Sequence, residues 1–251
     1  VPCISVSFRV FRGSVFFRSI SVYSVVKTVK QPDMKTKQFW YPLPERLIAQ
    51  HPAEKRGTEK MMALHRATGV IEHRHIADIV EYLAPGDLLV VNDTKVFPAR
   101  LVGTWADTPG AVEVLMVNPA AGAIPGDALS KNSVAWNVMV GSGRPAREGQ
   151  KASFGPEREL SVTLLKPLGG GMWQALFESA QPLNTLLDAF GRTPVPPYVK
   201  REGTAEEEAR DRLRYQTIYA KHTGSVAAPT AGLHFTDDIF AALEAKGVRR
   251  V

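Results

Sequence analysis

Cysteine is almost missing from this chain. A single residue, Cys3, is present in 251, so the chain beyond it lacks the thiols needed for a disulfide framework, a thiolate zinc site or a cysteine nucleophile. That composition permits a reducing, cytoplasmic setting. Long uninterrupted apolar runs are missing too. Val1 to Asp33 is rich in Val, Ser and Phe, but Arg9, Arg12 and Arg18 cut its apolar runs too often for a bilayer span, which excludes a membrane anchor. Acid is scarce in the same stretch. Of the formal charge of +6, the residues Arg9, Arg12, Arg18, Lys27 and Lys30 against Asp33 place +4 before Met34 and leave +2 for the remainder. Net charge therefore gives little support to nucleic-acid binding, and any basic footprint must be local. No internal repeat or low-complexity segment occurs, and no glycine-rich strand–loop–helix opens the chain, which argues against a methyltransferase built on such a loop.

The ends carry their own expectations. Val1 to Asp33 is Arg- and Ser-rich and acid-poor, as organellar transit segments are, but the chain opens on Val and Met34 resembles a natural start. Read-through of upstream sequence is the preferred reading, which leaves residues 1–33 as a leader outside the fold. At the other end Gly247-Val248 begins an apolar strand and the sequence stops at Val251, which reads as a cut end.

What is present centres on Gly224 to Thr236. Small residues, one proline, hydroxyls and the imidazole of His234 share this loop, a composition that leaves backbone amides open to a ligand and adds short hydrogen-bonding arms. The alternative is a tight connection before a helix. Thr236 is placed to cap a helix over Asp237 to Lys246, whose first acids suit the positive end of its dipole.

From Met34, an aromatic strand-like start at Phe39 leads through Pro42 and Pro44 to a short helix over Glu45 to Gln50. Met61 to His65 reads as a buried strand, Ala67 to Gly69 as a turn, and Val70 to His75 as its partner. His73 and His75 share a strand face, but no third ligand stands at a usable spacing, so no metal is expected. Ile76, Ile79, Val80 and Leu83 have helical spacing closed by Pro85-Gly86, and Asp87 to Val91 is a continuous apolar strand that delivers Asn92, Asp93 and Thr94 at its end.

After Arg100 the texture changes. Alternating runs over 112–117, 134–140, 160–165 and 172–177 are separated by turn-rich segments, including Pro119 to Gly126, Gly141-Ser142-Gly143 and Gly169-Gly170-Gly171. Short strands without helices predict a small antiparallel sheet or barrel, with Gly141 to Gly143 as a hairpin turn. Helical spacing returns over Leu183 to Phe190, stopped by Gly191. Thr193 to Val199 is a stiff, proline-rich extended segment holding Tyr198 in a fixed direction, and Ala205 to Arg214 is a charged helix with a solvated face. The organisation expected is an α/β (α+β) main domain, residues 34–100 and 191–251, interrupted by a domain of short antiparallel strands, sheet or β-barrel, over 101–190.

Several of these segments coincide with one family. Leu47 to Gln50 with Pro52 and Arg56, Gly86 to Leu101, Pro194 to Tyr198, Arg214 to Thr217, and the central loop with Leu233-His234-Phe235 together resemble the S-adenosylmethionine:tRNA ribosyltransferase-isomerases of queuosine biosynthesis. The resemblance runs in order from Phe39 to Val251, with Gln38, Trp40 and Lys60 departing from the family's usual residues, and the family continues past Val251. It implies the barrel, an α/β domain interrupted by a small β-barrel. It also implies transfer and isomerisation of the ribosyl group of S-adenosylmethionine onto 7-aminomethyl-7-deazaguanine at the tRNA wobble position, releasing adenine and methionine and leaving epoxyqueuosine. S-adenosylmethionine is then the ribosyl donor, tRNA the partner, and no metal is required. A cytoplasmic monomer that touches no membrane fits this reading; a non-catalytic tRNA-binding module on the same fold is the alternative.

Under the resemblance His234 is a proton-transfer or base-orienting residue, unless it is a satisfied core histidine. Asp93 binds ribose hydroxyls or acts as base, with Asn92 and Thr94 beside it. Arg100 meets the methionine carboxylate or a phosphate, unless it serves only in a surface ion pair. Tyr215, Gln216, Ser225, Pro229, Thr230, Gly232 and Phe235 form the substrate surface, and Tyr198, Lys200 and Arg201 contact RNA.

Overall fold

A computed structural model describes residues 35–120 and 124–251. The leader over 1–33 and the start at Met34 lie outside the described residues, as does part of the turn-rich stretch Pro119 to Gly126.

The alternating runs after Arg100 close into a barrel. Its strands are β5 (Arg100–Trp105), β6 (Ala111–Pro119), β7 (Ser133–Ser142), β8 (Lys151–Phe154), β9 (Leu160–Gly169) and β10 (Met172–Ser179), with neighbour order β10-β7-β6-β5-β8-β9. Every pairing is antiparallel. The two-residue period sends Val112, Val114 and Met116 inward to meet Trp136, Val138, Leu160, Val162 and Phe177, all fully buried. Burial of each large apolar side chain contributes about 1.5–3 kcal/mol. Helix α3 (Leu183–Phe190) packs Leu183, Leu186 and Leu187 into the same core.

Where the chain enters and leaves the barrel it is clamped to itself: Arg100 N–H donates to Arg192 O (3.1 Å) and Arg192 N–H to Arg100 O (2.7 Å). Gly191 stands at this crossing, where a Cβ would lie 2.5 Å from Pro98 O and 2.6 Å from Leu187 O. Only glycine fits.

Outside the barrel are short parallel pairs and helices. Strand β3 (Leu88–Leu89) pairs with β12 (Arg249–Arg250), and β4 (Thr94–Val96) with β11 (His222–Ser225). Helix α5 (Asp237–Ala245) crosses from β11 to β12 and packs Ile239, Phe240 and Leu243 against Ile76, Ile79, Leu83 and Leu89. Thr236 caps α5, accepting the Ile239 N–H at 3.3 Å. Helix α4 (Ala205–Arg214) is capped by Thr204. A separate antiparallel hairpin, β1 (Lys60–His65) with β2 (Val70–His75), leads through a 3-10 turn into α1 (Ile79–Tyr82).

Several local expectations are corrected. The strand-like start at Phe39 is a 3-10 turn over Thr36–Phe39, and the helix over Glu45 to Gln50 is a single 3-10 turn, Glu45–Leu47. Pro42 and Pro44 lack the N–H that a strand would pair. Strand β1 is largely exposed rather than buried, because among the described residues it pairs with β2 alone, in a two-stranded sheet. Gly141 to Gly143 is no hairpin turn. Strand β7 runs through Ser142, with Gly141 opposite Glu113 of β6, and the next strand, β8, lies between β5 and β9. The barrel stretch also holds a helix, α2 (Pro125–Leu129), whose Ala128 and Leu129 are buried. Finally, the segment from Thr193 is not extended throughout: Val199 N–H donates to Pro196 O at 2.9 Å and turns the chain at Pro197-Tyr198.

Candidate active-site cavity at His234

The central loop folds as a 3-10 turn over Thr230–His234, held by a Gly232 N–H to Pro229 O bond of 2.7 Å. Phe235, next along, is buried and stacks on Phe240 with ring centroids 5.0 Å apart. With its neighbour anchored in the core, His234 lines a cavity of about 420 Å³. Its walls are apolar at Ala49, Pro52, Met61, Ile76 and Leu233 and polar at His51, Arg56, Thr58, Glu59, Lys60 and Arg214. A cavity of this size and mixture lies within the range of small-molecule sites.

Glu59 faces the imidazole. Its Oε2 accepts the Gly57 N–H at 2.8 Å and lies 3.6 Å from His234 Nδ1, which is buried and has no hydrogen-bond partner. That separation exceeds a hydrogen bond, so the carboxylate faces the ring without being bonded to it. Gly57 takes φ 91°, a left-handed geometry that aims its N–H at the carboxylate.

The remaining charge is cationic. Arg56 donates to Gln216 O (3.1 Å) and Arg214 O (3.2 Å), while Arg214 donates to Ala53 O and Glu54 O. Burial holds the Arg56 pKa below its ordinary value, the neighbouring Arg214 lowers it further, and Glu59 opposes both. With Lys60 also in the wall, cations outnumber the single carboxylate, an arrangement suited to an anion.

The other sequence-derived candidates fall into separate groups. Tyr215 and Gln216 adjoin the cavity through Arg56. Burial raises the Tyr215 pKa, against the opposing effect of an Ala228 backbone N–H on its phenol oxygen. Gln216 grips Val96 at both backbone atoms, accepting its N–H (3.0 Å) and donating to its O (2.6 Å). Asn92, Asp93 and Thr94 lie instead where β4 meets β11 and are not part of the cavity lining. There Asn92 Oδ1 accepts from Thr94 N (2.9 Å) and Oγ1 (2.6 Å), and Asp93 Oδ2 is 3.0 Å from His222 Nδ1. Ser225 Oγ closes a turn on Ala227 O at 2.7 Å. Arg100 pairs with Glu113 at 2.6 Å on the barrel.

Tyr198 and Lys200 are exposed, and Lys200 lies 3.7 Å from Glu45. Arg201 is not free in the same way. Its guanidinium clasps Asp211 at 2.7 and 2.9 Å with side-chain exposures of 10% and 8%. Gln50 is gripped between Tyr198 O and Lys200 N, so the 198–201 turn supports the wall that carries His51. Sequence reasoning missed Glu59, His51 and Thr58; the only signal was their closeness in the chain to Pro52 and Arg56. Among the described residues no group of three or more His, Cys, Asp or Glu is arranged to hold a metal ion, and no helix is long and apolar enough to cross a membrane.

The fold is that of a mixed helix–strand protein carrying a closed six-stranded antiparallel barrel, with the His234 cavity among the elements outside the barrel. Residues 36–251 match the family described as queuosine biosynthesis protein, and the chain belongs to that family. An S-adenosylmethionine:tRNA ribosyltransferase-isomerase of Thermoanaerobacter sp. is 40% identical over 220 residues, covering 87% of this chain and 59% of that protein. The protein of the same name from Caldanaerobacter subterraneus subsp. tengcongensis is 41% identical over 218 residues, with the same coverages. A solved structure of S-adenosylmethionine tRNA ribosyltransferase from Thermotoga maritima aligns over 84% of this chain and 55% of its own, at 27% identity and a TM-score of 0.32. The chain thus spans about 59% of the length of the curated relatives it matches.

Proposed function

We propose that this chain carries the chemistry its relatives are named for. It transfers and isomerises the ribosyl group of S-adenosylmethionine onto 7-aminomethyl-7-deazaguanine at the tRNA wobble position, giving epoxyqueuosine-tRNA, adenine and methionine. The observation that carries the reading is identity of 40% with a protein of that name, over 87% of the chain. The cavity supports it. In this reading His234, with the Glu59 carboxylate facing its ring, moves a proton to or from the reacting groups. The cationic wall at Arg56, Arg214 and Lys60 balances a substrate anion, and the apolar wall takes a flat base. Asp93 with Asn92 and Thr94, and the turn at Ser225, form a second polar surface on the adjoining strands. The protein acts as a cytoplasmic monomer without a metal.

A second reading is a tRNA-binding module without catalysis. It is favoured by the same cationic wall, which suits a phosphate whether or not a proton moves. Incubation with S-adenosylmethionine and tRNA bearing the aminomethyl base separates the two. Adenine release supports the enzyme, whereas tRNA binding with no adenine supports the module.

A further inference from the structure

The two faces of the β1–β2 hairpin differ in their charge and in their contacts. Cross-strand partners share a face, so Met61, Ala63, His65, Val70, Glu72 and Arg74 fall on one side, and Lys60, Met62, Leu64, Ile71, His73 and His75 on the other. The first side carries a polar cluster tied to α1: Glu72 accepts from Arg74 Nε (3.0 Å) and from Tyr82 Oη (2.9 Å) of that helix, and lies 2.7 Å from His65 Nε2, while Val70 is exposed. The second side is left open by the described residues. Leu64 is 57% exposed, Ile71 52% and Met62 40%, and all six residues of this face are exposed.

Its chemistry is one-signed. The six residues include a lysine and two histidines and no carboxylate, with exposed Arg66 in the turn beyond. Asp78, in the 3-10 turn after the hairpin, is engaged with the His75 N–H at 2.8 Å. Lys60 belongs both to this face and to the lining of the His234 cavity, where Met61 and Ile76 join it. The open face therefore starts at the cavity rim.

We propose that this face is the docking surface for the RNA strand that flanks the nucleotide bound in the cavity. Apolar side chains offer stacking surface to splayed bases, and Lys60, Arg66 and the imidazole N–H groups of His73 and His75 meet the phosphates between them. A protein partner, including a second copy of this chain, would fit the apolar residues but leaves the absence of carboxylates without a role. The inference rests on the tRNA reading given above.

The test compares wild type, the double variant His73→Glu/His75→Glu, and Lys151→Glu, an exposed barrel substitution of equal charge change. Affinity for labelled tRNA is measured between about 50 and 200 mM salt. A docked RNA strand requires that the double variant lose about tenfold in affinity at the lower salt and less at the higher, since its two carboxylates then face phosphates. Lys151→Glu binds as wild type, and both variants keep the wild-type melting temperature. Equal tRNA affinity of wild type and double variant overturns the docking surface alone. Equal losses in both variants also overturn it, since they report bulk charge. A change in oligomeric state with unchanged RNA affinity assigns the face to protein, and a wild-type chain that binds no tRNA overturns the partner reading and this surface together.

Discussion

Arg56 and Arg214 each hold the other's stretch of chain. Arg56 reaches the carbonyls of Arg214 and Gln216, and Arg214 reaches those of Ala53 and Glu54. Two like charges are thereby kept side by side, with Glu59 as a nearby opposite charge. The reciprocal clasp joins two segments far apart in sequence, and both arginines then line the cavity with His234. Replacing Arg56 with Ala removes both of its bonds and leaves two carbonyls unmet, so the expected loss is about 1–3 kcal/mol in denaturant unfolding. Arg56→Lys restores the charge without the fork and recovers little of it. Full stability of Arg56→Ala would show that the clasp is incidental.

Arg201 and Asp211 form a nearly buried ion pair, bidentate at 2.7 and 2.9 Å. The Asp211 hydrogen bond raises the Arg201 pKa despite its partial burial. Asp211→Ala strands the guanidinium, and breaking such a pair costs about 3–5 kcal/mol. The melting temperature of the variant measures it. If Arg201 instead serves only RNA, Arg201→Ala lowers tRNA affinity and leaves the melting temperature where it was.

At Gly232 a Cβ would overlap the Tyr219 hydroxyl and lie 2.9 Å from Thr217 Cγ2. Gly232→Ala therefore pushes the turn that presents His234, at about 1–3 kcal/mol. Tyr219→Phe removes the obstructing oxygen, so the double variant regains part of the loss. Additive losses in the double-mutant cycle would exclude this contact as the cause.

Glu72 provides a pH prediction. The hydrogen bond from Tyr82, then those with His65 and Arg74, hold its carboxyl below the ordinary value. A depressed folded-state pKa contributes stability that is present above the unfolded value of about 4.3 and is lost as pH falls through the folded value. Melting temperatures from neutral pH down to about pH 3 should show Glu72→Gln with a shallower acid decline than wild type. Parallel curves for the two proteins would contradict the coupling.

The barrel was largely legible because alternation survives in β6, β7, β9 and β10, where every second residue points to one core. Strand β5 was harder to see: its inward set is Leu101, Gly103 and Trp105, and Gly103 has no side chain because the backbone of Ser153 passes against it. Strand β8 has only four residues, and Pro125-Gly126 disguised α2 as a turn. In the site, His234 stood out by its loop, while Glu59 reaches it from a distant part of the chain through folding that no local pattern encodes. Phe235 looked like a ligand contact from its place in the loop, but its ring is the anchor that packs on Phe240. Gln216 is likewise bonded to Val96 through both side-chain polar atoms.

The most direct test is single-turnover release of adenine from S-adenosylmethionine in the presence of tRNA carrying the aminomethyl base, with wild type against His234→Ala. With wild-type turnover established, the variant is expected to bind tRNA still but to release adenine about 10²–10⁴-fold more slowly, the usual contribution of a positioned proton-transfer group. Release by His234→Ala at the wild-type rate would contradict a proton-transfer role for this residue.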